Sequence, residues 1–171
     1  MFDHLDDGVV SLRRVTLEDA STYARLQDAE MAARFEWDGP ISEAEAASAF
    51  ERWVEAWKQG TGEHNFAIVL SATGELIGDC AADLRDDGYV NVMYVVFANW
   101  RGYGYASQAV RLLVSHARAA FAGHPLILRI HPDNTASVGV ARSVGAVRHG
   151  HETSREGKRL DRWILDDSSV P

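Results

Sequence analysis

The chain has a single cysteine, Cys80, among its 171 residues. One thiol cannot form an internal disulfide, and it cannot supply the cysteine pairs on which many zinc sites are built. Because its neighbours in sequence are apolar, Cys80 is predicted to be a buried structural thiol rather than a nucleophile. The sequence therefore supports neither an oxidising compartment nor a zinc centre, and no metal is expected.

Long hydrophobic segments are also missing. No run approaches the roughly 18 apolar residues of a membrane-spanning helix, and the N-terminal MFDHLDDGVV is acidic where a secretory signal would be basic and then apolar. A soluble, cytoplasmic protein is expected. Proline is scarce, with only 4 residues, and 46% of the chain is hydrophobic, so residues 1–171 are predicted to fold as one domain around a single core.

Positive charge is in short supply, because 17 Lys and Arg face 25 Asp and Glu and leave a formal net charge of −8. Nucleic acids and anionic membranes bind clustered Lys and Arg, so neither is expected as the main partner. An amine-bearing or cationic partner suits an acidic surface better. The same acidity also keeps soluble enzymes in solution, so charge alone does not select between these explanations.

The first part of the chain predicts one strand and two helices. Residues 9–15 alternate as a half-buried strand does, and TLED then resembles a capping box that starts a helix near Leu17. Ser42 with a glutamate three residues later forms a second capping box, and apolar residues at helical spacing extend over 43–59. Gly60 is predicted to end this second helix.

The rest of the chain predicts further strands and two more helices. Two apolar runs joined by ATGE indicate a β-hairpin with its turn at Thr73-Gly74, and YVNVMYVVF after a DDG turn indicates a third strand. These three strands are predicted to form an antiparallel meander. The remaining predicted elements are a long helix over 102–121, the buried strand LILRI, a short helix from Asn134 to Gly145, and strands over 146–150 and 160–165.

The segment WRGYGYAS, residues 100–107, lies between a predicted strand and a predicted helix. A glycine turn at a helix N-terminus presents unpaired N–H groups and the positive end of the helix dipole, which favour a phosphate or pyrophosphate. Gly102 and Gly104 let the main chain approach such an anion, and Arg101 adds charge. Glycines before a helix are also common turn residues, and Ser107 replaces the third glycine of the dinucleotide fingerprint, so the wider context decides.

That context is a resemblance to a known family. MYVVFANWRGYGYASQAV, followed further along by HPDNTASVGVARSVGAVRHG, is similar to the core of the GNAT superfamily of N-acetyltransferases. Within that family, R-G-x-G-x-A paired with N-x-x-S resembles the branch of ribosomal-protein N-terminal (serine/alanine) acetyltransferases. The resemblance covers residues 8–166 in element order, and its specific motifs lie within 92–150. It implies an α/β (α+β) fold, a bent mixed sheet of about six to seven strands with about four helices, in which two central strands splay apart and admit pantetheine.

The resemblance also implies an activity. A member of this family moves an acetyl group from acetyl-CoA to a primary amine by direct attack in a ternary complex, with CoA as product and without a metal. The acceptor is left open between a protein N-terminus and a small-molecule amine. A non-catalytic CoA-binding or sensing module of the same fold is the alternative, because such a module would keep the glycine loop and need no acid.

The cofactor contacts are carried over from the family residue by residue. In the family, the strand before the glycine loop carries a bulge whose main-chain groups bind pantetheine and polarise the thioester carbonyl, while its side chains are expected to be ordinary pocket wall. The loop amides cradle the pyrophosphate, and the asparagine of the small helix bonds pantetheine or caps the helix. The matching residues are Tyr94, Val95, Val96, Arg101, Gly102, Tyr103, Gly104, Tyr105, Ala106, Ser107, Asn134 and Ser137.

Acyl transfer to an amine also needs a proton for the leaving thiolate and a base for the amine. The tyrosine that many members place on the small helix is replaced here by Ala141, so resemblance to the serine-using branch assigns the thiol's proton donor to Ser137. In many relatives an acidic residue stands where Asn91 does, which puts a direct carboxylate base on that strand in doubt. The base is left open among polar residues of the strands around the splay: Asp79, Asp83 and His131.

The acceptor pocket is expected to be walled by the N-terminal helices. Aromatic side chains with one carboxylate suit an amine on a partly hydrophobic body, and Glu36 is the candidate partner for its cation. Tryptophans at helical spacing also pack protein cores, so that explanation stays open as well. The predicted acceptor residues are Phe35, Glu36, Trp37, Trp53, Trp57 and Asn91.

Self-association is a further expectation. The C-terminal strand over 160–165 is predicted to lie at an open sheet edge, where it would pair with a second copy or exchange into it. A homodimer is therefore one expected assembly.

Overall fold

A computed structural model describes residues 4–165 as a mixed α/β fold. The strands are β1 (His4–Asp6), β2 (Val10–Arg14), β3 (Glu63–Leu70), β4 (Leu76–Leu84), β5 (Val90–Val96), β6 (Leu126–Ile130), β7 (Val147–Thr153) and β8 (Arg159–Leu165). The helices are α1 (Asp19–Leu26), α2 (Ala29–Arg34), α3 (Glu43–Gln59), α4 (Tyr105–Ala120) and α5 (Thr135–Ser143), with a 3₁₀ turn at Ala98–Trp100. The eight strands form one sheet in the order β1-β2-β3-β4-β5-β6-β8-β7.

The predicted order of elements is confirmed, with two short additions. The strand β1 has three residues and α2 has six, and both are too short to show a hydrophobic period in sequence. The N-terminus of α2 is set by Asp28, whose side chain accepts a hydrogen bond from the Met31 N–H. None of the helices in the described part of the chain is long and apolar enough to cross a membrane.

The two N-terminal helix starts behave differently. The Ser42 capping box forms as predicted, and α3 ends at Gly60, which is left-handed with φ 63°. The first helix begins at Asp19 rather than near Leu17. One bond of the predicted capping box is present, since the Asp19 carboxylate accepts the Thr16 N–H at 2.8 Å, and the same carboxylate pairs with Arg13 at 2.7 Å. These bonds hold the preceding residues in a turn.

The sheet has a hydrophobic core on each face. On one face α4 packs its apolar stripe, including Leu113, against strand residues such as Phe66 and Val92, and Cys80 is buried in this core as predicted. On the other face α1 and α3 pack around Tyr23, whose ring meets Phe50 edge-on at a centroid distance of 5.4 Å. The central strands are therefore covered on both sides.

The feature that positions the site is the separation of β5 from β6. These two parallel strands pair only at Val90 with Leu126 and at Asn91 with Ile127. Beyond that point β5 continues its pairing with β4, and β6 continues its pairing with β8. The sheet therefore opens into a wedge between residues 92–96 and 128–130, as the resemblance implies.

The bulge expected in β5 is not observed. The register of β4 and β5 runs without a shift from Leu84 and Val90 to Gly78 and Val96. Register shifts occur instead where β3 pairs with β4 and where β7 pairs with β8. At Gly78 the two backbones approach so closely that an added Cβ would overlap Val95 O. A glycine on the neighbouring strand, rather than an extra residue, shapes this part of β5.

The expectation of an open edge at residues 160–165 is wrong. These residues belong to β8, which lies between β6 and β7 and pairs with both. The edge at that end of the sheet is β7, whose residues are nearly all exposed. The last strand in sequence is interior because β7 folds back beyond it as a hairpin partner.

Candidate active site

A cavity of about 500 Å³ fills the wedge between β5 and β6, a size typical of small-molecule sites. Its lining includes the glycine loop and the start of α4 together with α2 and the connection that follows it. Most predicted cofactor positions border it: Tyr94, Val95, Val96, Arg101, Gly102, Gly104, Tyr105, Ala106, Ser107, Asn134 and Ser137. Tyr103 is 68% exposed and does not border it.

The glycine loop leaves the first turn of α4 open. Gly102 and Gly104 are left-handed, with φ 84° and φ 81°, and an added Cβ at either would meet nothing within 4 Å. Gly104 is the N-cap and has no side chain to fold back over the helix. The first helical bond runs from the Gln108 N–H to Gly104 O, so the preceding N–H groups have no partner within the helix. They provide donors and a positive dipole end facing the cavity.

Arg101 is engaged differently from the prediction. Its Nε donates to Val96 O at 2.9 Å, and its Nη1 pairs with Asp28 at 2.8 Å and with Glu30 at 3.0 Å. The guanidinium therefore joins the end of β5 to α2 instead of lying over the glycine loop. Sequence could not show this because Asp28 is remote in the chain.

The main chain of β5 supplies polar groups to the cavity. In a strand within a sheet, alternate residues direct their N–H and C=O groups to each neighbour. Since β6 departs after residue 91, the groups of residues 92–96 on that side have no strand partner among the described residues. Buried main-chain donors and acceptors require a partner, so this edge is suited to an amide-bearing ligand.

The start of α5 holds the predicted thiol-protonating residue. Asn134 is the N-cap, and its side chain accepts the Ser137 N–H at 3.1 Å. Ser137 therefore lies in the first turn with a fixed backbone, at the cavity border. Across the wedge lies the side chain of Tyr94, whose hydroxyl is shielded from solvent. Ala141 is fully buried and cannot contribute a polar group.

The structure brings together two residues that the sequence left apart, Glu36 and His131. Glu36 Oε1 lies 3.5 Å from His131 Nε2 and accepts a hydrogen bond from Ser154 Oγ at 3.0 Å. Glu36 has φ 58°, a left-handed conformation that is costly for a non-glycine residue and that occurs preferentially at functional sites. Both residues border the cavity, and Ser154 is a neighbour that sequence analysis missed.

The aromatic acceptor candidates divide into two groups. Phe35 borders the cavity. Trp37 does not border the cavity but stacks on the Phe35 ring at a centroid distance of 5.1 Å. Trp53 packs against Phe50 and Tyr23 in the core. Trp57 is buried, stacks on His64 and donates from Nε1 to Asn65 O at 2.7 Å. The two tryptophans of α3 therefore serve packing and do not reach the cavity.

Of the two polar residues Asn91 and Asp83, which lie opposite each other on β5 and β4, only Asn91 borders the cavity. Asn91 borders the cavity, and its side-chain oxygen accepts a hydrogen bond from Arg129 Nη1 at 2.9 Å. Asp83 lies opposite Asn91 on β4 but pairs with Arg85 away from the cavity. Burial raises the pKa of Asp83, and the Arg85 charge opposes that shift. A direct role for Asp83 at the cavity is not supported by this placement.

Asp79 lies on β4 directly opposite Val95, on the face that carries Tyr23. Its Oδ1 is shielded from solvent and has no hydrogen-bond partner, and burial raises its pKa to about 7. It does not border the cavity. Among the described residues, no three His, Cys, Asp or Glu side chains are grouped so that they could hold a metal ion.

Comparison with known proteins finds acetyltransferases by sequence and by structure. The model of the acetyltransferase (GNAT) domain family matches residues 10–147. An uncharacterised N-acetyltransferase, p20 of Bacillus licheniformis, is 22% identical over 143 residues, which is 82% of this chain and 80% of the relative. A putative ribosomal-protein-serine acetyltransferase from Vibrio cholerae superposes with a TM-score of 0.78 at 19% identity, covering 96% of this chain and 99% of the other. Spermidine N-acetyltransferase from Vibrio cholerae, solved with CoA and spermine, gives 0.79 at 14% identity, covering 95% and 98%.

Proposed function

Because the chain belongs to the GNAT acetyltransferase family, we propose that it transfers an acetyl group from acetyl-CoA to a primary amine by direct attack in a ternary complex. The observation that carries the proposal is the wedge between β5 and β6. Its lining includes an open helix N-terminus and a carboxylate–imidazole pair. An acyl donor and an amine can therefore meet within one cavity.

The glycine loop and the exposed edge of β5 fit a CoA thioester. The free N–H groups at the start of α4 suit a pyrophosphate, and the left-handed glycines leave room for it. The unpaired side of β5 would bond the amides of the pantetheine arm and the thioester carbonyl. When bound, the donor supplies an activated acyl carbon and a sulfur leaving group. Arg101 contributes indirectly, since it fixes α2 against the end of β5.

The part of the cavity lined by Phe35, Glu36 and His131 fits an amine next to an apolar surface. Glu36 supplies negative charge for the ammonium form, and the Glu36–His131 pair is placed to accept the proton that the amine must lose. Phe35, supported by Trp37, offers an apolar wall. The two superposed Vibrio cholerae enzymes are named for a ribosomal-protein serine and for spermidine. We infer that a protein N-terminus and a polyamine are the acceptor classes to test first.

Gly104→Glu is expected to abolish acetyl-CoA binding. The new side chain would place bulk and negative charge at the helix N-terminus that we assign to the pyrophosphate. Calorimetric titration with acetyl-CoA should give micromolar affinity for the wild type and no measurable heat for the variant. Gly123→Glu is the matched control, because Gly123 is also left-handed, with φ 85°, and has the same open space but lies beyond the other end of α4.

Wild-type protein that shows no heat and no thermal shift with acetyl-CoA, succinyl-CoA or CoA would contradict the proposed function. Equal loss of binding in both glycine variants would show that backbone strain, and not the anion site, causes the effect. Turnover is then measured by free-thiol release with a panel of peptides and amines. CoA binding without thiol release for any acceptor would favour the alternative, a non-catalytic CoA-binding or sensing module.

Glu36→Gln is expected to lower kcat/KM for the amine about tenfold, since one charge-assisted interaction with the acceptor or with His131 is lost. The affinity for acetyl-CoA should be unchanged because the Glu36 carboxylate contacts Ser154 and His131 and not the glycine loop. Steady-state kinetics at several pH values measure the effect. Glu75→Gln, in the exposed β3–β4 turn, is the control and should match the wild type. Unchanged kcat/KM in Glu36→Gln would remove Glu36 from the acceptor site.

A further inference from the structure

The hydroxyl of Tyr94 is a buried polar group that the fold does not satisfy. Tyr94 lies on β5 at the wedge, and its ring packs against the α4 side of the sheet. The hydroxyl oxygen is shielded from solvent and has no hydrogen-bond partner of good geometry within the described residues. Buried hydroxyls in folded proteins are nearly always paired, so an unpaired one beside a cavity indicates a group that a ligand satisfies.

The neighbour of this hydroxyl is Ser137. Burial raises the pKa of the Tyr94 phenol, and the polar contact with the Ser137 side chain opposes that shift in part. The phenol therefore stays protonated at neutral pH and acts as a donor. Ser137 is held in position through its backbone bond to Asn134, and both side chains border the same cavity. Two hydroxyls from opposite walls of the wedge thus converge on one place.

We propose that Tyr94, acting with Ser137, donates a hydrogen bond to the thioester sulfur as it leaves. This inference rests on the proposed function and adds a catalytic residue to it. The amine nitrogen forms a bond to the acyl carbon, the carbon–sulfur bond breaks, and the sulfur takes the electron pair. The amine's proton passes to the Glu36–His131 pair or to water, and the thiolate, stabilised by the two hydroxyls, takes a proton from solvent.

This role for the Tyr94 side chain is the opposite of what the sequence predicts. From sequence, the Tyr94 side chain is ordinary pocket wall, and an apolar replacement should have little effect. If that expectation held, Tyr94→Phe would leave turnover unchanged. If the hydroxyl binds the leaving sulfur, the same variant loses rate while its folded structure is undisturbed, because the only intramolecular contact removed is the weak one with Ser137.

Tyr94→Phe is expected to lower kcat roughly 10- to 100-fold, the effect of losing one hydrogen bond to a charged atom. The KM for acetyl-CoA should change little. Ser137→Ala should give a loss of similar size, and the double variant should lose less than the product of the two single losses, since both hydroxyls act on one atom. Tyr89→Phe is the matched control, because Tyr89 lies just before β5 with Arg162 over its ring and does not border the cavity.

A second readout does not depend on turnover. Binding of CoA by calorimetry as a function of pH reports the ionisation of the bound thiol. Tyr94→Phe should raise the apparent pKa of that thiol by about one unit, because a donor to the thiolate is lost. Thermal unfolding of the ligand-free variant should match the wild type or exceed it. A purely structural tyrosine would give the opposite result, with reduced thermal stability and an unshifted thiol pKa.

Each outcome bears on one claim only. If the wild type binds CoA and acetylates an amine while Tyr94→Phe equals it in kcat and in the pH dependence of CoA binding, the role of Tyr94 is refuted and the proposed function stands. If the wild type neither binds CoA nor turns over, the proposed function fails. A loss of kcat in Tyr89→Phe equal to that in Tyr94→Phe would also refute the proposal, because the effect would not be specific to the wedge.

Discussion

Gly78→Ala should eliminate acetyl-CoA binding and lower the free energy of unfolding by about 3 kcal/mol, although it adds only one methyl group. A Cβ at residue 78 would overlap Val95 O and lie 3.0 Å from Val95 C and 3.1 Å from Val96 Cα. These atoms are backbone and cannot rotate away. The strand β5 would have to move, and β5 is the wall of the wedge to which we assign the thioester.

Urea unfolding and acetyl-CoA calorimetry on the same samples measure both parts of this prediction. Gly139→Ala is the control, since a Cβ there would meet nothing within 4 Å, and it should preserve binding and retain or slightly increase stability. If Gly78→Ala has wild-type stability and affinity, the close approach of β4 to β5 is not a requirement of the site. Loss of stability with intact binding would show that the wedge tolerates displacement of Val95.

Asp79→Asn should raise the free energy of unfolding by about 2 kcal/mol above pH 7, about half of what the full pKa shift would give, because Asp79 is half-buried and only one of its carboxylate oxygens is shielded. The Asp79 Oδ1 is shielded and unpartnered, and burial raises the pKa of this carboxyl from 3.8 to about 7. Above pH 7 the folded protein therefore holds a half-buried charge with one shielded oxygen, whereas the unfolded chain leaves this charge in water. Below pH 4 the carboxyl is neutral in both states, so the advantage of asparagine should disappear there.

The direction of the pH dependence follows from proton binding. Between pH 4 and pH 7 the folded state keeps the proton on Asp79 while the unfolded state has lost it, so this group makes stability fall as pH rises. His116, a buried residue of α4 that lies 2.8 Å from the His64 ring nitrogen, acts in the opposite sense. Burial and then His64 lower its pKa from 6.5 to about 4, so its contribution is present above 6.5 and is lost as pH falls toward 4. In the wild type the two effects offset each other over the same range.

Urea unfolding of the wild type and Asp79→Asn at pH 4.5, 6 and 8 tests this account. The variant should lose stability on acidification more steeply than the wild type, because the effect of His116 is no longer offset. Asp86→Asn, in the exposed turn before β5, is the control and should follow the wild type. A variant no more stable than the wild type at pH 8 would contradict the burial of an uncompensated charge at Asp79.

Features set by local chemistry were predictable from the sequence. The Ser42 capping box and the left-handed Gly60 bound α3 as expected, because both ends depend on residues within one turn of the helix. The strand–glycine–helix segment at 100–107 forms the expected open helix start, since glycine alone adopts its conformation freely. Family resemblance supplied the wedge, which no local pattern encodes.

Features that depend on which distant segment becomes a neighbour were decided only by the tertiary structure. Glu36 meets Ser154 across 118 residues, and Arg101 pairs with Asp28 across 73. Hydrophobic period and capping signals report only a residue's own helix or strand, so they cannot show these partners. The same holds for Tyr94, because the surroundings of its hydroxyl, including Ser137, depend on how the two walls of the wedge pack. The sequence by itself therefore determined the elements and the family, whereas packing between remote segments decided which polar groups face the cavity.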